Sequence, residues 1–81
     1  MNTEEIFQRV QETIVDQLAV EPEEVTLSAS FFDDLSADPE YMLEFAEAVE
    51  DVFGIRIPDE ELENLETVGD AVRAIQDRLE E

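Results

Sequence analysis

Carboxylates are almost the only side chains in this sequence that could take part in chemistry. Asp and Glu account for 24 of the 81 residues, against four arginines, and there is no histidine or cysteine. Without an imidazole or a thiol, the chain has no imidazole base, no thiolate nucleophile, no disulfide and no zinc site of the usual kind. Paired carboxylates do acid–base work only in a cleft that separates their pKa values, and acids spread over helix surfaces indicate no such cleft. We therefore expect a protein that is not an enzyme.

The acids that come nearest to a metal-binding spacing begin at Asp34. An EF-hand loop starting there would place Ser36 and Asp38 at acceptable ligand positions. Pro39, however, falls where the loop needs a glycine for its sharp turn, and Phe45 falls where it needs a bidentate glutamate. We expect no metal site.

The charge of the whole chain limits its partners. The formal net charge is −20 at pH 7, and nucleic-acid phosphates and anionic membranes would repel such a chain. Basic protein surfaces would attract it over a long range, with a strength that salt reduces. The apolar fraction of 43% and its regular spacing predict a folded domain rather than a disordered one. No signal peptide or membrane-spanning run is recognisable, so we expect a soluble protein of the cytoplasm.

Helical spacing of apolar residues predicts three longer helices and one short helix. The first helix should run from about Thr3 to Leu18, with Asn2 or Thr3 as its cap, and end before Pro22. A long connection then follows up to Asp38. We expect its apolar residues to pin it to the core, namely Val25, Leu27, Phe31, Phe32 and Leu35.

The second helix has a strong start signal. Asp38 is suited to the N-cap and Pro39 to the first helical position, while Gly54 is suited to ending the helix in the left-handed conformation. The buried stripe of this helix should consist of Met42, Phe45, Ala46, Val49, Val52 and Phe53.

The remaining elements are a short helix from Pro58 to Leu65 and a last helix that opens with a capping box of Thr67 and Asp70. Together the elements predict an all-α fold, a small bundle of three longer helices plus one short one with a long first loop. At 81 residues the chain should be a single domain, residues 1–81.

Several short segments, in this order and spacing, resemble those of acyl carrier proteins. Val-Glu-Pro-Glu-Glu-Val-Thr at 20–26, Ala-Ser-Phe at 29–31 and Asp-Leu-Ser-Ala-Asp at 34–38 are similar to stretches of that family. Ile-Arg-Ile-Pro-Asp-Glu-Glu at 55–61 and Thr-Val-Gly-Asp at 67–70 resemble the openings of its third and fourth helices. The resemblance covers essentially the whole chain and implies an acyl-carrier-like four-helix bundle.

The chain departs from the family pattern where the family carries its cofactor. Acyl carrier proteins read Asp-Ser-Leu at the start of the second helix, and the serine holds a phosphopantetheine arm. Here the corresponding residues are Asp38, Pro39 and Glu40. Proline has no hydroxyl and can form no phosphodiester, so we expect no cofactor. Ser36, which stands where the family has glycine, is a weak alternative site, and a hydrogen bond within its own turn is the simpler role for it.

The resemblance also implies a partner-binding surface on the second helix. Glu44, Glu50 and Asp51 match positions where the family carries carboxylates that meet arginine and lysine on partner enzymes. Glu40 and Glu47 extend that surface, and helical spacing puts Glu40, Glu44, Glu47 and Asp51 on one side. Solvation accounts for any one of these acids, but repeated like charges on one side favour a docking surface.

The main function hypothesis is therefore a carrier-like protein without the arm. It would bind a basic patch on a protein partner, such as an enzyme of acyl or polyketide metabolism, as a competitor, scaffold or regulator. The alternative is a functional acyl carrier of a fatty acid or polyketide pathway, modified at a non-standard serine. A further alternative is an acidic inhibitor that mimics nucleic-acid phosphates.

Overall fold

The computed structural model describes residues 1–80 and confirms the all-α architecture. Within these residues the α-helices are α1 (Thr3–Leu18), α2 (Pro39–Phe53), α3 (Asp59–Glu63) and α4 (Val68–Leu79), with a 3-10 turn at Pro22–Glu24. The short helix α3 ends before the expected Leu65. Its last turn tightens, because the Leu65 N–H donates to the Leu62 carbonyl at 3.2 Å, only three residues back.

Side-chain caps start the helices where the sequence predicts them. Asn2 Oδ1 accepts a hydrogen bond from the Glu5 N–H at 2.9 Å at the start of α1, and Thr67 Oγ1 accepts one from the Asp70 N–H at 3.1 Å at the start of α4. Each cap satisfies a backbone donor that has no partner inside its helix. Gly54 ends α2 with a φ of 66°, a left-handed conformation that glycine adopts at little cost.

Backbone hydrogen bonds hold the long connection to the start of α4. The Phe31 N–H donates to the Glu66 carbonyl at 2.9 Å, and the Gly69 N–H donates to the Leu27 carbonyl at 2.8 Å. A Cβ atom at Gly69 would lie 2.9 Å from that carbonyl oxygen. The close approach of the connection to α4 therefore requires glycine at this position.

The core lies where α1 packs against both α2 and α4. Phe31 from the connection and Phe45 from α2 are fully buried, with ring centroids 5.2 Å apart and the rings tilted. Such tilted aromatic pairs are favourable beyond the area they bury. Val25 and Leu35 are also buried, which confirms them as anchors of the connection.

Three residues expected in the core lie at the surface instead. Leu27 and Phe32 are 50% and 47% exposed, and Val52 is 44% exposed. Phe31 already fills the core position beside Phe45, which leaves its neighbour Phe32 outside. Val52 lies at the margin of the apolar stripe of α2, so helical spacing alone overestimated its burial.

A helix that crosses a bilayer must contain about 20 consecutive, mostly apolar residues. Among them no helix is both long enough and apolar enough to span a membrane.

Candidate functional site

The start of α2 is organised by Asp38. This residue is in an extended conformation, and its Oδ1 accepts a hydrogen bond from the Tyr41 backbone N–H at 2.7 Å. Pro39 follows as the first helical residue, where the missing N–H leaves no helix bond unmade and the fixed φ suits the helix. Pro39 is exposed to solvent, so its position at the head of α2 is accessible, but its side chain offers only ring carbons.

Ser36 lies two residues before the cap of α2, in an unusual backbone conformation. Its φ is 56°, in the left-handed region, which costs roughly 1–2 kcal/mol for a residue with a Cβ atom. The side chain is exposed, and among residues 1–80 its hydroxyl has no hydrogen-bond partner, so the expected bond within its own turn is wrong. The turn is closed by Ser30 and Asp34 instead, since the Ser30 N–H donates to Asp34 Oδ2 at 2.7 Å.

A groove of about 400 Å³ lies beside the head of α2, between the long connection, α2 and α3. Met42 and Leu62 are buried and form its floor. Phe32 and Leu43, at 47% and 54% exposure, form an apolar rim. We call this feature the apolar groove; its lining residues are Phe32, Pro39, Met42, Leu43, Asp59, Leu62 and Glu63.

Carboxylates from α3 complete the edge of the apolar groove. Asp59 and Glu63 are both exposed, and both line the groove. The position of α3 is supported from the other side, because Arg78 of α4 forms an ion pair with Glu61. The α3 side of the apolar groove therefore combines the buried apolar side chain of Leu62 with the exposed negative charges of Asp59 and Glu63.

The outer side of α2 carries four exposed acids, which we call the acidic face: Glu40, Glu44, Glu47 and Asp51. Spacings of three and four residues place them next to one another along the helix. Leu43 lies at the same spacing from Glu40 and Glu47, so the acidic face borders the apolar groove. Like charges at these spacings repel one another and destabilise the helix slightly.

Glu50 differs from the four acids of the acidic face. It is half-buried, and its Oε2 accepts a hydrogen bond from the Ile57 backbone N–H at 2.7 Å. This bond holds the segment that leads from α2 to α3 against the end of α2. Glu50 thus has a structural contact that its sequence position did not indicate.

Tyr41 is a second residue whose role the sequence did not indicate. Its ring is buried, 6.2 Å from the Phe45 ring, and its hydroxyl donates to Gln17 Oε1 on α1 at 2.8 Å. Burial raises the pKa of the Tyr41 phenol well above its ordinary value, and the nearby charge of Glu44 raises it further. The phenol therefore stays protonated and ties the head of α2 to α1.

The acids of residues 1–80 do not converge as metal ligands. No group of three or more carboxylates in that part of the chain has the geometry to hold a metal ion.

The apolar groove is the feature that sequence reasoning missed. Its rim joins Phe32 from the connection to Leu43 from α2, and Leu62 of its floor comes from α3. Two signals pointed in its direction: a pair of adjacent phenylalanines in a loop, and a leucine on the acid-rich side of a helix. Neither signal says that the two residues meet.

Comparison with a protein-family model and with individual known proteins points to one family. The family model described as PP-binding, phosphopantetheine attachment site, matches residues 8–75. The acyl carrier protein of Petrotoga mobilis is 47% identical over 79 residues, which are 98% of this chain and 93% of that protein. The acyl carrier protein of Phenylobacterium zucineum is 45% identical over 75 residues, which are 93% of this chain and 95% of that protein.

The fold has a close match among solved structures. The structure of the acyl carrier protein from Enterococcus faecalis superposes with a TM-score of 0.80 at 40% sequence identity. The match covers 96% of this chain and 99% of that one.

Proposed function

The chain belongs to the acyl carrier protein family, and from that premise we propose that it is a docking partner for enzymes of acyl or polyketide metabolism that bears no phosphopantetheine at the head of α2. It would act as a competitor, scaffold or regulator of such an enzyme, and not as a catalyst. We propose the cytoplasm as its compartment and residues 1–81 as one domain.

Pro39 is the observation that carries this proposal. It is the first residue of α2, it is exposed, and it follows an Asp38 cap whose geometry is complete. Its side chain has no oxygen, so this position does not fit a phosphopantetheine arm. The surrounding cap accepts proline without distortion, which supports a stable alternative rather than a damaged site.

The acidic face supports the docking part of the proposal. Its four carboxylates are exposed, and the family relationship makes a basic surface on a carrier-dependent enzyme the natural partner. Attraction between opposite charges speeds encounter and selects the orientation, and salt weakens it. The internal hydrogen bond of Glu50 makes this residue a lesser candidate for partner contact, although it lies on the same helix.

Intact-mass measurement tests the absence of the arm. We expect no mass gain when the protein is incubated with a phosphopantetheinyl transferase and coenzyme A. The double variant Pro39→Ser, Glu40→Leu restores the family's Asp-Ser-Leu and should gain the mass of one arm. A gain by the unaltered protein would overturn the armless proposal.

A second candidate function is a working acyl carrier that holds its arm on Ser36. The comparisons by themselves favour carriage, since the matching family model is that of a phosphopantetheine attachment site and spans Ser36. The exposure of Ser36 and its unpaired hydroxyl are compatible with modification. In the mass experiment this candidate requires a gain that Ser36→Ala abolishes.

Charge reversal tests the docking surface. We expect Glu44→Arg with Glu47→Arg to weaken capture of the partner by about tenfold or more, because both carboxylates would face the partner's basic groups. The matched control reverses Glu4 and Glu80, which are exposed on α1 and just after α4. Equal losses would mean that only bulk charge matters. A captured nucleic-acid-binding protein would support the phosphate-mimic alternative instead.

A further inference from the structure

We propose that Ser36 is a phosphorylation site, a serine to which an ATP-dependent protein kinase with a basic substrate groove transfers a phosphoryl group. The inference goes beyond the proposed docking function and does not depend on it. It concerns the turn that leads from the long connection into α2, which lies outside the lining of the apolar groove.

The Ser36 hydroxyl differs from the other serine and threonine hydroxyls of residues 1–80. Each of the others takes part in a hydrogen bond, namely those of Thr3, Thr13, Thr26, Ser28, Ser30 and Thr67. Ser36 is exposed, and within the same residues its hydroxyl has no partner. Transfer of a group to Ser36 therefore breaks no hydrogen bond of the folded protein, whereas transfer to any of the others breaks one.

The turn holds Ser36 at the surface between two anchored residues. Leu35 and Ala37 are both buried. The Leu35 N–H donates to the Ser30 carbonyl at 3.1 Å, and the Ala37 N–H donates to the Phe31 carbonyl at 2.8 Å. Ser36 lies between them with a φ of 56° and an exposed side chain, so an enzyme can reach its hydroxyl without drawing either neighbour out of the core.

Acids on both sides of Ser36 provide the recognition elements for a kinase. Asp33 and Asp34 precede it by three and two residues, Asp38 follows it by two, and all three are exposed. Kinases discriminate among substrates by charge pattern, and one that selects acidic sites binds such carboxylates through basic residues of its own. Attraction between opposite charges also speeds the encounter of a basic groove with this chain.

ATP supplies the phosphoryl group that is transferred. The Ser36 Oγ forms a bond to the γ-phosphorus, the bond from that phosphorus to the β,γ-bridging oxygen breaks, and ADP leaves with the electron pair. The hydroxyl proton passes to the catalytic aspartate of the kinase and from there to solvent. No arginine or lysine occurs between Arg9 and Arg56 in the sequence, so the turn and α2 hold no cation that would pair with the phosphate. The added charge, roughly −1.5 to −2 near pH 7, therefore stays available to arginine of a partner protein.

Mass spectrometry after a kinase reaction tests the site. The probe is type I casein kinase, which selects acidic residues before its target, with ATP and magnesium, added to protein that intact mass shows to carry no arm. We expect a gain of one phosphoryl group, which fragmentation locates at Ser36, and no gain by Ser36→Ala. Thermal melting checks that this variant keeps its fold. An absent gain, or a gain that Ser36→Ala retains, would overturn the inference.

The Thr26→Ser variant supplies a matched target within the same chain. Glu23 and Glu24 precede residue 26 by three and two residues, the same spacing of acids as before Ser36. The hydroxyl at position 26 is hydrogen-bonded to Ser28 Oγ at 3.4 Å. Because that bond must break first, we expect phosphorylation at position 26 to be about fivefold slower than at Ser36. Equal rates would mean that the acidic sequence alone selects the target, and would contradict the structural argument.

Removal of one flanking charge tests how the site is recognised. The Asp33 carboxylate makes no hydrogen bond within residues 1–80, so Asp33→Asn changes the charge and leaves the turn intact. We expect phosphorylation of Ser36 to slow by about fivefold in this variant. Asp16→Asn, at an exposed residue of α1, should leave the rate unchanged, and equal rates for the two variants would refute acidic recognition. A phosphopantetheine arm and a phosphoryl group differ in mass, so failure of the proposed function and failure of this inference are distinguished in the spectrum.

Discussion

Ser36 shows at the level of one residue how the turn before α2 is built. The residue lies between the buried side chains of Leu35 and Ala37 and has a left-handed φ of 56°. The two flanking residues anchor the turn, and the conformation of Ser36 lets the chain reach the Asp38 cap. A serine in this conformation retains strain that a glycine would not have.

Replacing Ser36 by glycine should therefore stabilise the protein. Relief of the left-handed strain, about 1–2 kcal/mol, exceeds the entropy that glycine adds to the unfolded chain, about 0.5–1 kcal/mol. We expect the free energy of unfolding to rise by about 0.5–1 kcal/mol, measured by urea denaturation. The matched control is Ser28→Gly, at an exposed residue without a positive φ, which should lose stability. A loss at Ser36 as large as that at Ser28 would contradict the strain argument.

Helix α2 is the element that carries the acidic face and part of the apolar groove, and its direction depends on its first turn. Asp38 fixes that turn by accepting the Tyr41 N–H, and Tyr41 in turn donates to Gln17 on α1. The acidic face and the rim of the apolar groove are thus positioned by the same cap.

Removing the Asp38 carboxylate should loosen the start of α2. Asp38→Ala leaves the Tyr41 N–H without its acceptor, and we expect a loss of about 0.5–2 kcal/mol in the free energy of unfolding. Asp38→Asn keeps an acceptor oxygen and should lose clearly less. Asp33→Ala removes an exposed carboxylate of the same connection and serves as the charge-matched control. Chemical denaturation of the three variants tests this order, and equal losses for Ala and Asn at residue 38 would disprove the capping role.

The whole molecule is dominated by its net charge of −20. Few positive charges offset the acids, and the chain has no cysteine with which to close a disulfide. Repulsion among the acids is therefore present in the folded state and decreases when ions screen it.

Salt should raise the melting temperature of this protein. Between about 0.01 M and 0.15 M NaCl the screening length falls from about 30 Å to about 8 Å, so repulsion between exposed acids farther apart than about 8 Å is largely screened at the higher salt. Magnesium at the same ionic strength should raise the melting temperature further, because a divalent cation associates more strongly than sodium with neighbouring carboxylates. A variant with Glu40, Glu44 and Glu47 changed to glutamine should respond less. A melting temperature independent of salt would disprove the repulsion argument.

Local signals were sufficient to predict the helices and their ends. Asp38 before Pro39, Gly54 after α2, and Thr67 with Asp70 act within a few residues of chain, so their effect can be read without knowing the fold. The apolar spacing likewise identified most of the core, and the absence of a hydroxyl on Pro39 is a property of the residue itself. The sequence alone thus determined the bundle, its charge and the absence of a side-chain hydroxyl at the first residue of α2.

Contacts between distant segments were decided only by the tertiary structure. The apolar groove exists because Phe32, Leu43 and Leu62 come together from a loop and two helices. Glu50 turns inward because the Ile57 N–H lies within reach of its carboxylate. Apolar spacing records which side of a helix is apolar, whereas exposure depends on what packs against that side, and this is settled only when the whole chain has folded.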